Sequence, residues 1–179
     1  PPIGTITEGN AWNGVDLLFS NIALNRVLRF NPDSGVVSVE RTDTNAANGL
    51  NYDADGNLYA CEGGGRRIAR YEPDGSSTTI VDRLDGRRIN GPNDLAIDPQ
   101  GRIWFSDRVE NVGPDVGIDH SSILCAIPNG DGTYRCVRRT FDTTMPNGLR
   151  NICIQCKSEY NLHRNDTIRG KMQKMLCTA

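Results

Sequence analysis

Glu8, Asn48, Asn93 and Asn147 occupy one position of a recurring motif, and each carries a side-chain oxygen. Asn48 opens the segment NGLNYDADGNLYACE, and Asn93 opens NDLAIDPQGRIWFSD. Leu50 and Leu95, Asp53 and Asp98, and Gly56 and Gly101 are all 45 residues apart. A third opening, Asn147-Gly148-Leu149, follows 54 residues after Asn93. The earliest copy is degenerate: Glu8-Gly9, then Trp12, Gly14 and the apolar run Leu17-Leu18-Phe19. Glu8 precedes Leu18 by 10 residues, as Asn48 precedes Leu58 and Asn93 precedes Ile103. One carboxylate and three amide carbonyls are hard donors, which suit Ca2+ or Mg2+; zinc more often takes His or Cys. The plainer alternative is that asparagine starts these strands because it tolerates turn geometry and bonds local backbone.

Whether these oxygens meet depends on the elements that carry them. The stretch from Arg88 to Asp107 reads as a hairpin, with a Gly-Pro entry, a strand Leu95–Ile97, an Asp98–Gly101 turn and a strand Ile103–Ser106. A second, weaker repeat lies between such hairpins. Arg26–Gly35 resembles Arg67–Gly75, and Ile123–Gly130 is a looser copy. Each supplies a strand, a turn and a further strand, namely Val36–Val39, Thr78–Val81 and Cys136–Arg139. Four strands in about 40–50 residues is the content of a propeller blade. The blades are expected at roughly 8–48, 48–93 and 93–147, with a fourth opening at Asn147. In a propeller the innermost strands line the axis, so residues at one repeat position converge there.

The chain has 179 residues, 19 glycines, 9 prolines and no long helical period, all of which favour an all-β fold. A net charge of −2 gives no reason to expect nucleic acid or an anionic membrane as partner. No apolar run approaches the roughly 20 residues that span a bilayer. The six cysteines are unevenly spaced, which favours free thiols over a disulfide framework. Targeting is not readable from a chain that starts at Pro1-Pro2, and the cytoplasm is the favoured compartment. Residues 1–149 carry −6 and residues 150–179 carry +4. The fourth copy lacks the template's later residues, with Gln155 and Lys157 where glycine and an apolar residue are expected. The expectation is therefore an incomplete propeller over 1–149 and a divergent tail over 150–179. A short helix is possible there around Ile168, Met172, Met175 and Leu176. The change at Arg150 reads as an altered origin of the sequence, such as splicing, a frameshift or read-through; a natural extension is the alternative.

The motifs Glu8-Gly9, Ala47–Leu50, Ala60–Glu62, Pro92–Leu95, Gly101–Asp107 and Pro146–Leu149 resemble the gluconolactonase/regucalcin (senescence marker protein) family. Asp119-His120-Ser121 resembles the gluconolactonase branch, and the likeness covers about residues 5–149. It implies about half of a six-bladed β-propeller with one divalent cation on its axis, Ca2+ foremost, with Zn2+ and Mg2+ as alternatives. It implies Glu8, Asn93 and Asn147 as metal ligands and Asn48 as a residue lining the channel. It also implies hydrolysis of a sugar lactone to its aldonic acid. The family's usual proline after Glu-Gly is Asn10 here, and its remaining aspartate ligand has no counterpart in this chain. A non-catalytic metal-binding or interaction module is the rival reading; oligomeric state is left open.

Asp94 and His120 are the candidate catalytic residues. Strand alternation is expected to turn Asp94 away from Asn93, and His120 is either a substrate contact or a loop residue. Arg66-Arg67 and Arg87-Arg88 read as solvated rim charges. Gly63-Gly64-Gly65 reads as a turn, and Cys153-x-x-Cys156 has no partner motif to complete a zinc site.

Overall fold

The computed structural model describes residues 6–109, 117–118 and 121–141. His120, Asn147 and the whole of 150–179 lie outside them. Strands dominate, and one short 3-10 turn spans Ile22–Leu24. The first sheet contains β1 (Thr7–Trp12), β2 (Leu17–Asn21), β3 (Arg26–Asn31) and β4 (Val36–Thr42). The second contains β5 (Ala47–Tyr52), β6 (Leu58–Glu62), β7 (Arg67–Tyr71) and β8 (Ser77–Val81). A two-stranded ribbon follows, β9 (Arg83–Leu84) and β10 (Arg87–Arg88). The third sheet contains β11 (Gly91–Ile97), β12 (Ile103–Arg108), β13 (Ser122–Pro128) and β14 (Tyr134–Phe141). Every large sheet is antiparallel and runs in chain order, the meander of a propeller blade. The all-β expectation holds, and the described residues form three four-stranded sheets. The ribbon was not expected.

The 45-residue period is a repeated physical device. The Asp53 carboxylate accepts the N–H groups of Asp55 and Asn57 at 2.9 and 2.8 Å. The Asp98 carboxylate accepts those of Gln100 and Arg102, both at 3.0 Å. Three residues on, Gly56 and Gly101 take φ of +86° and +73°, where a side chain is strained. Six residues on, an aromatic closes the turn: the Tyr59 hydroxyl donates to Asp53 at 3.2 Å, and the Trp104 indole donates to Asp98 at 2.9 Å.

Two apolar seams join the blades. Leu18 and Val27 on blade 1 pack against Leu50, Ala60, Ala69 and Tyr71 on blade 2. Cys61 and Ile68 on the far face of blade 2 pack against Ile103, Phe105 and Leu124 on blade 3. Leu84 and Ile89, which flank β10, are buried in the second seam. A smaller cluster, Trp104, Ile123 and Cys125, lies on the opposite face of blade 3. Cys61, Cys125 and Cys136 are free thiols, as the cysteine spacing suggests, and burial pushes Cys136 up to about 12.

Candidate functional site

Strand register puts Glu8, Asn48 and Asn93 in equivalent places. The residue before each pairs with the end of the second strand: Thr7 with Asn21, Ala47 with Glu62, Pro92 with Asp107. Four residues after each, the hairpin closes through Trp12–Leu17, Tyr52–Leu58 and Ile97–Ile103. All three inner strands carry a β-bulge at this level, between Glu8 and Ala11, Ala47 and Leu50, and Pro92 and Leu95. A bulge holds one residue more than its partner strand and redirects side chains locally.

The inner strands β1, β5 and β11 lie side by side, and they approach closely here. A Cβ on Gly9, whose φ is +57°, would sit 1.8 Å from the Asn48 carbonyl oxygen. A Cβ on Gly49 would sit 2.7 Å from the Asp94 Cα and 2.6 Å from its carboxylate oxygen. Only glycine fits against the neighbouring backbone at these two positions. In blade 3 the equivalent position is Asp94, which does carry a side chain. That carboxylate therefore turns back over Gly49.

The arrangement gathers polar oxygen groups. Asn48 Nδ2 donates to Asn93 Oδ1 at 2.9 Å, so these two amides of blades 2 and 3 are in contact. Burial pushes the Asp94 carboxyl up, the N–H of Leu95 pulls it down, and the charge of Glu8 raises it further. Glu8 is exposed, while Asn48, Asn93 and Asp94 are partly buried. Ser20 Oγ donates to the Glu8 carbonyl at 2.9 Å, and Ser106 Oγ accepts the Asp94 N–H at 3.3 Å, so equivalent serines brace the bulges of blades 1 and 3.

Carboxylate and amide oxygens of this kind fit the hard-donor chemistry of Ca2+ or Mg2+ better than that of zinc. Among the described residues no group of three or more His, Cys, Asp or Glu is gathered. His120 and Asn147 fall outside the described residues.

A second set of polar residues escaped the sequence reading. Glu62 and Asp107, 45 residues apart, are each 1% exposed. Each is served by an asparagine 17 residues earlier. Asn45 Nδ2 donates to Glu62 Oε2 at 2.8 Å. The backbone N–H of Asn90 reaches both Asp107 oxygens, at 2.8 and 2.9 Å. Arg67 also donates to Glu62 at 2.7 Å. Burial pushes Asp107 up to about 7, against the downward pull of the Asn90 and Gly91 N–H groups and the Arg66 charge. In blade 1 the matching residue is the amide Asn21, which donates to the Ile6 carbonyl at 3.0 Å and accepts from Arg26 at 3.0 Å. The equal spacing of 45 between the two pairs was the available signal.

Residues 6–175 match the family model described as SMP-30/Gluconolactonase/LRE-like region. A curated gluconolactonase of Zymomonas mobilis is 30% identical over 116 residues, a match covering 56% of this chain and 33% of that protein. The solved gluconolactonase of Xanthomonas campestris matches with a TM-score of 0.69 at 32% identity, covering 78% of this chain and 48% of that one. A structural-genomics target named for the gluconolactonases matches at 0.69 and 30% identity, covering 80% and 51%. The chain thus spans about half the length of these two solved structures and a third of the curated relative.

Proposed function

This chain belongs to the SMP-30/gluconolactonase/LRE-like family, and from that premise we propose that it forms the first three blades of a metal-dependent hydrolase of sugar lactones. Glu8, Asn93 and Asn147 would hold the cation, and Asn48 would line the channel beside them. Ca2+ is the cation best suited to this donor set, with Mg2+ next; Zn2+ suits it least. When bound, such a cation supplies positive charge that polarises the lactone carbonyl and stabilises the oxyanion. Asn48 orients its neighbour, because its donated hydrogen bond fixes which way the Asn93 amide faces. Glu8 provides anionic charge at the exposed side of the site. Asp94 and His120 are the candidates for taking a proton from the attacking water. The small-molecule partner is an aldono-lactone, and the product is the open acid.

The contact between Asn48 and Asn93, at the register position shared with Glu8, is the observation that carries this reading. Calorimetric titration with Ca2+ tests the ligand set. Glu8→Gln removes the charge of a proposed ligand and is expected to weaken binding about tenfold or more, whereas Asn48→Ala weakens it less. Equal affinities in the two variants defeat the assignment. Lactone hydrolysis with added Ca2+ or Zn2+ then separates an enzyme from a metal-binding module without catalysis, which would bind the cation and leave the lactone intact.

A further inference from the structure

Resting on the reading of Asn48 and Asn93 as residues of a cation site, we propose that Asn25 and Arg66 are the positioning residues that bring those two amides together. Each holds the connection through which the next blade's inner strand begins. The two occupy equivalent places: Asn25 immediately precedes β3, and Arg66 immediately precedes β7. Both take left-handed backbone, with φ of +52° and +53°. That region is uncommon for residues other than glycine, and asparagine enters it more easily than arginine. Both reach out of their own blade. The Asn25 side-chain oxygen accepts the Ala46 N–H at 2.8 Å and the Thr44 hydroxyl at 3.4 Å, and the Asn25 carbonyl accepts the Thr44 N–H at 3.3 Å. Arg66 Nε donates to the Ile89 carbonyl at 2.8 Å. Thr44 and Ile89 are both fully buried, and each lies four residues before its asparagine, Asn48 or Asn93. One grip uses an acceptor and the other a donor, so the two residues share a place and a task without sharing a chemistry.

The connections are held from the other side as well. The Asn45 amide is tied to Glu62, and the Asn45 carbonyl accepts the Gly64 N–H at 2.9 Å. The Asn90 N–H is tied to Asp107, and the Asn90 amide donates to the Ile118 carbonyl at 2.8 Å. Each connection is thus clamped between two blades just ahead of the strand that carries the asparagine. The first clamp works against strain. Asn45 and Ala46 are consecutive left-handed residues, at +50° and +54°, and Ala46 has no polar side chain to offset that conformation. Such a pair persists only where its surroundings over-determine it. The Asn25 oxygen on the Ala46 N–H supplies that constraint from blade 1. Released from it, the entry to β5 is free to turn, and with it the Asn48 amide that donates to Asn93 at 2.9 Å.

Asn25→Gly tests this in the 179-residue chain, because glycine keeps the left-handed backbone and removes only the side-chain oxygen. The metal-free readout is the resonance of the hydrogen-bonded Asn48 Nδ2 proton. It is expected to move upfield toward the free-amide position in Asn25→Gly, and to return in Asn25→Asp, which restores an accepting oxygen. Calorimetric titration with Ca2+ is expected to show about fivefold weaker binding in Asn25→Gly, the scale of one lost hydrogen bond, with recovery in Asn25→Asp. Should Asn25→Gly not fold, Arg66→Gly, which removes the donor to Ile89, is read at the same resonance with the same shift expected. A thermal midpoint that falls while the Asn48 resonance stays in place overturns the proposal and leaves these residues a role in stability alone. A shifted resonance with unchanged Ca2+ affinity overturns it as well, and so does an Asn25→Asp chain that behaves like Asn25→Gly. A wild-type chain that binds no Ca2+ defeats the cation site and not the positioning of the two amides, which the metal-free resonance still decides.

Discussion

The two seams between blades solve one packing problem with different materials. At the seam of blades 1 and 2, four of the eight buried cluster residues are alanines: Ala11, Ala47, Ala60 and Ala69. At the seam of blades 2 and 3, branched and aromatic side chains dominate, including Ile68, Ile103, Phe105 and Leu124. Near the axis both seams are tight, which the glycines at 9 and 49 make possible. Farther out they differ. Arg41 reaches across the first seam, stacks on Tyr71 and donates to the Gly75 and Ser76 carbonyls at 2.7 and 3.0 Å. The second seam has the β9–β10 ribbon with buried Leu84 and Ile89 beside it. Small residues let two sheets approach; large ones fill a gap that sheets leave open.

The contrast is sharpest under truncation. Phe105→Ala empties the second seam of its largest fully buried side chain and is expected to cost about 3–5 kcal/mol, read from the denaturant midpoint. A loss below about 1 kcal/mol would mean that the seam collapses freely and that its large residues are not a close-packed fill.

The second seam also contains a buried acid, Asp107. Asp107 has its carboxyl raised from 3.8 to about 7, so the folded state holds the proton more tightly than the unfolded chain. Its stabilising contribution is full below about pH 4 and is lost as pH rises through about 7, by up to roughly 4 kcal/mol at the linkage limit. Asp107→Asn is expected to flatten that part of the stability-versus-pH curve, as read by thermal melts from pH 4 to 8. An unchanged slope would place the pH dependence elsewhere.

The first seam should fail in the reverse direction, by crowding. Ala69→Leu inserts bulk between sheets held close and is expected to cost about 1–3 kcal/mol. If the chain tolerates it without loss, the seam is looser than its alanines imply. The smallest effect belongs to Arg41→Ala, about 0.5–1 kcal/mol for one partly exposed cation over an aromatic ring. A double-mutant cycle with Tyr71→Leu isolates that term, and a coupling near zero removes the stacking from the account.

What was legible in the sequence was what is local. Asp53 and Asp98, with glycine at +3 and an aromatic at +6, announce their turns because every contact lies within six residues. Repetition of those turns gave the blades, and the shared register position of Glu8, Asn48 and Asn93 followed from the same count. The place of the Asp94 carboxylate over Gly49 was not legible, because that space belongs to another strand. The Asn45–Glu62 and Asn90–Asp107 pairs repeat at the same 45-residue interval but were hidden for a different reason. A buried acid looks in sequence like any surface acid until its partner is placed.

The meander order of the sheets has a consequence for synthesis. Among the described residues, blade 1 has all four of its strands once residue 42 has emerged and blade 2 once residue 81 has, since neither takes a strand from later in the described chain. A nascent polypeptide can thus finish each four-stranded unit while its successor is still being translated, with short loops to close and little topological delay.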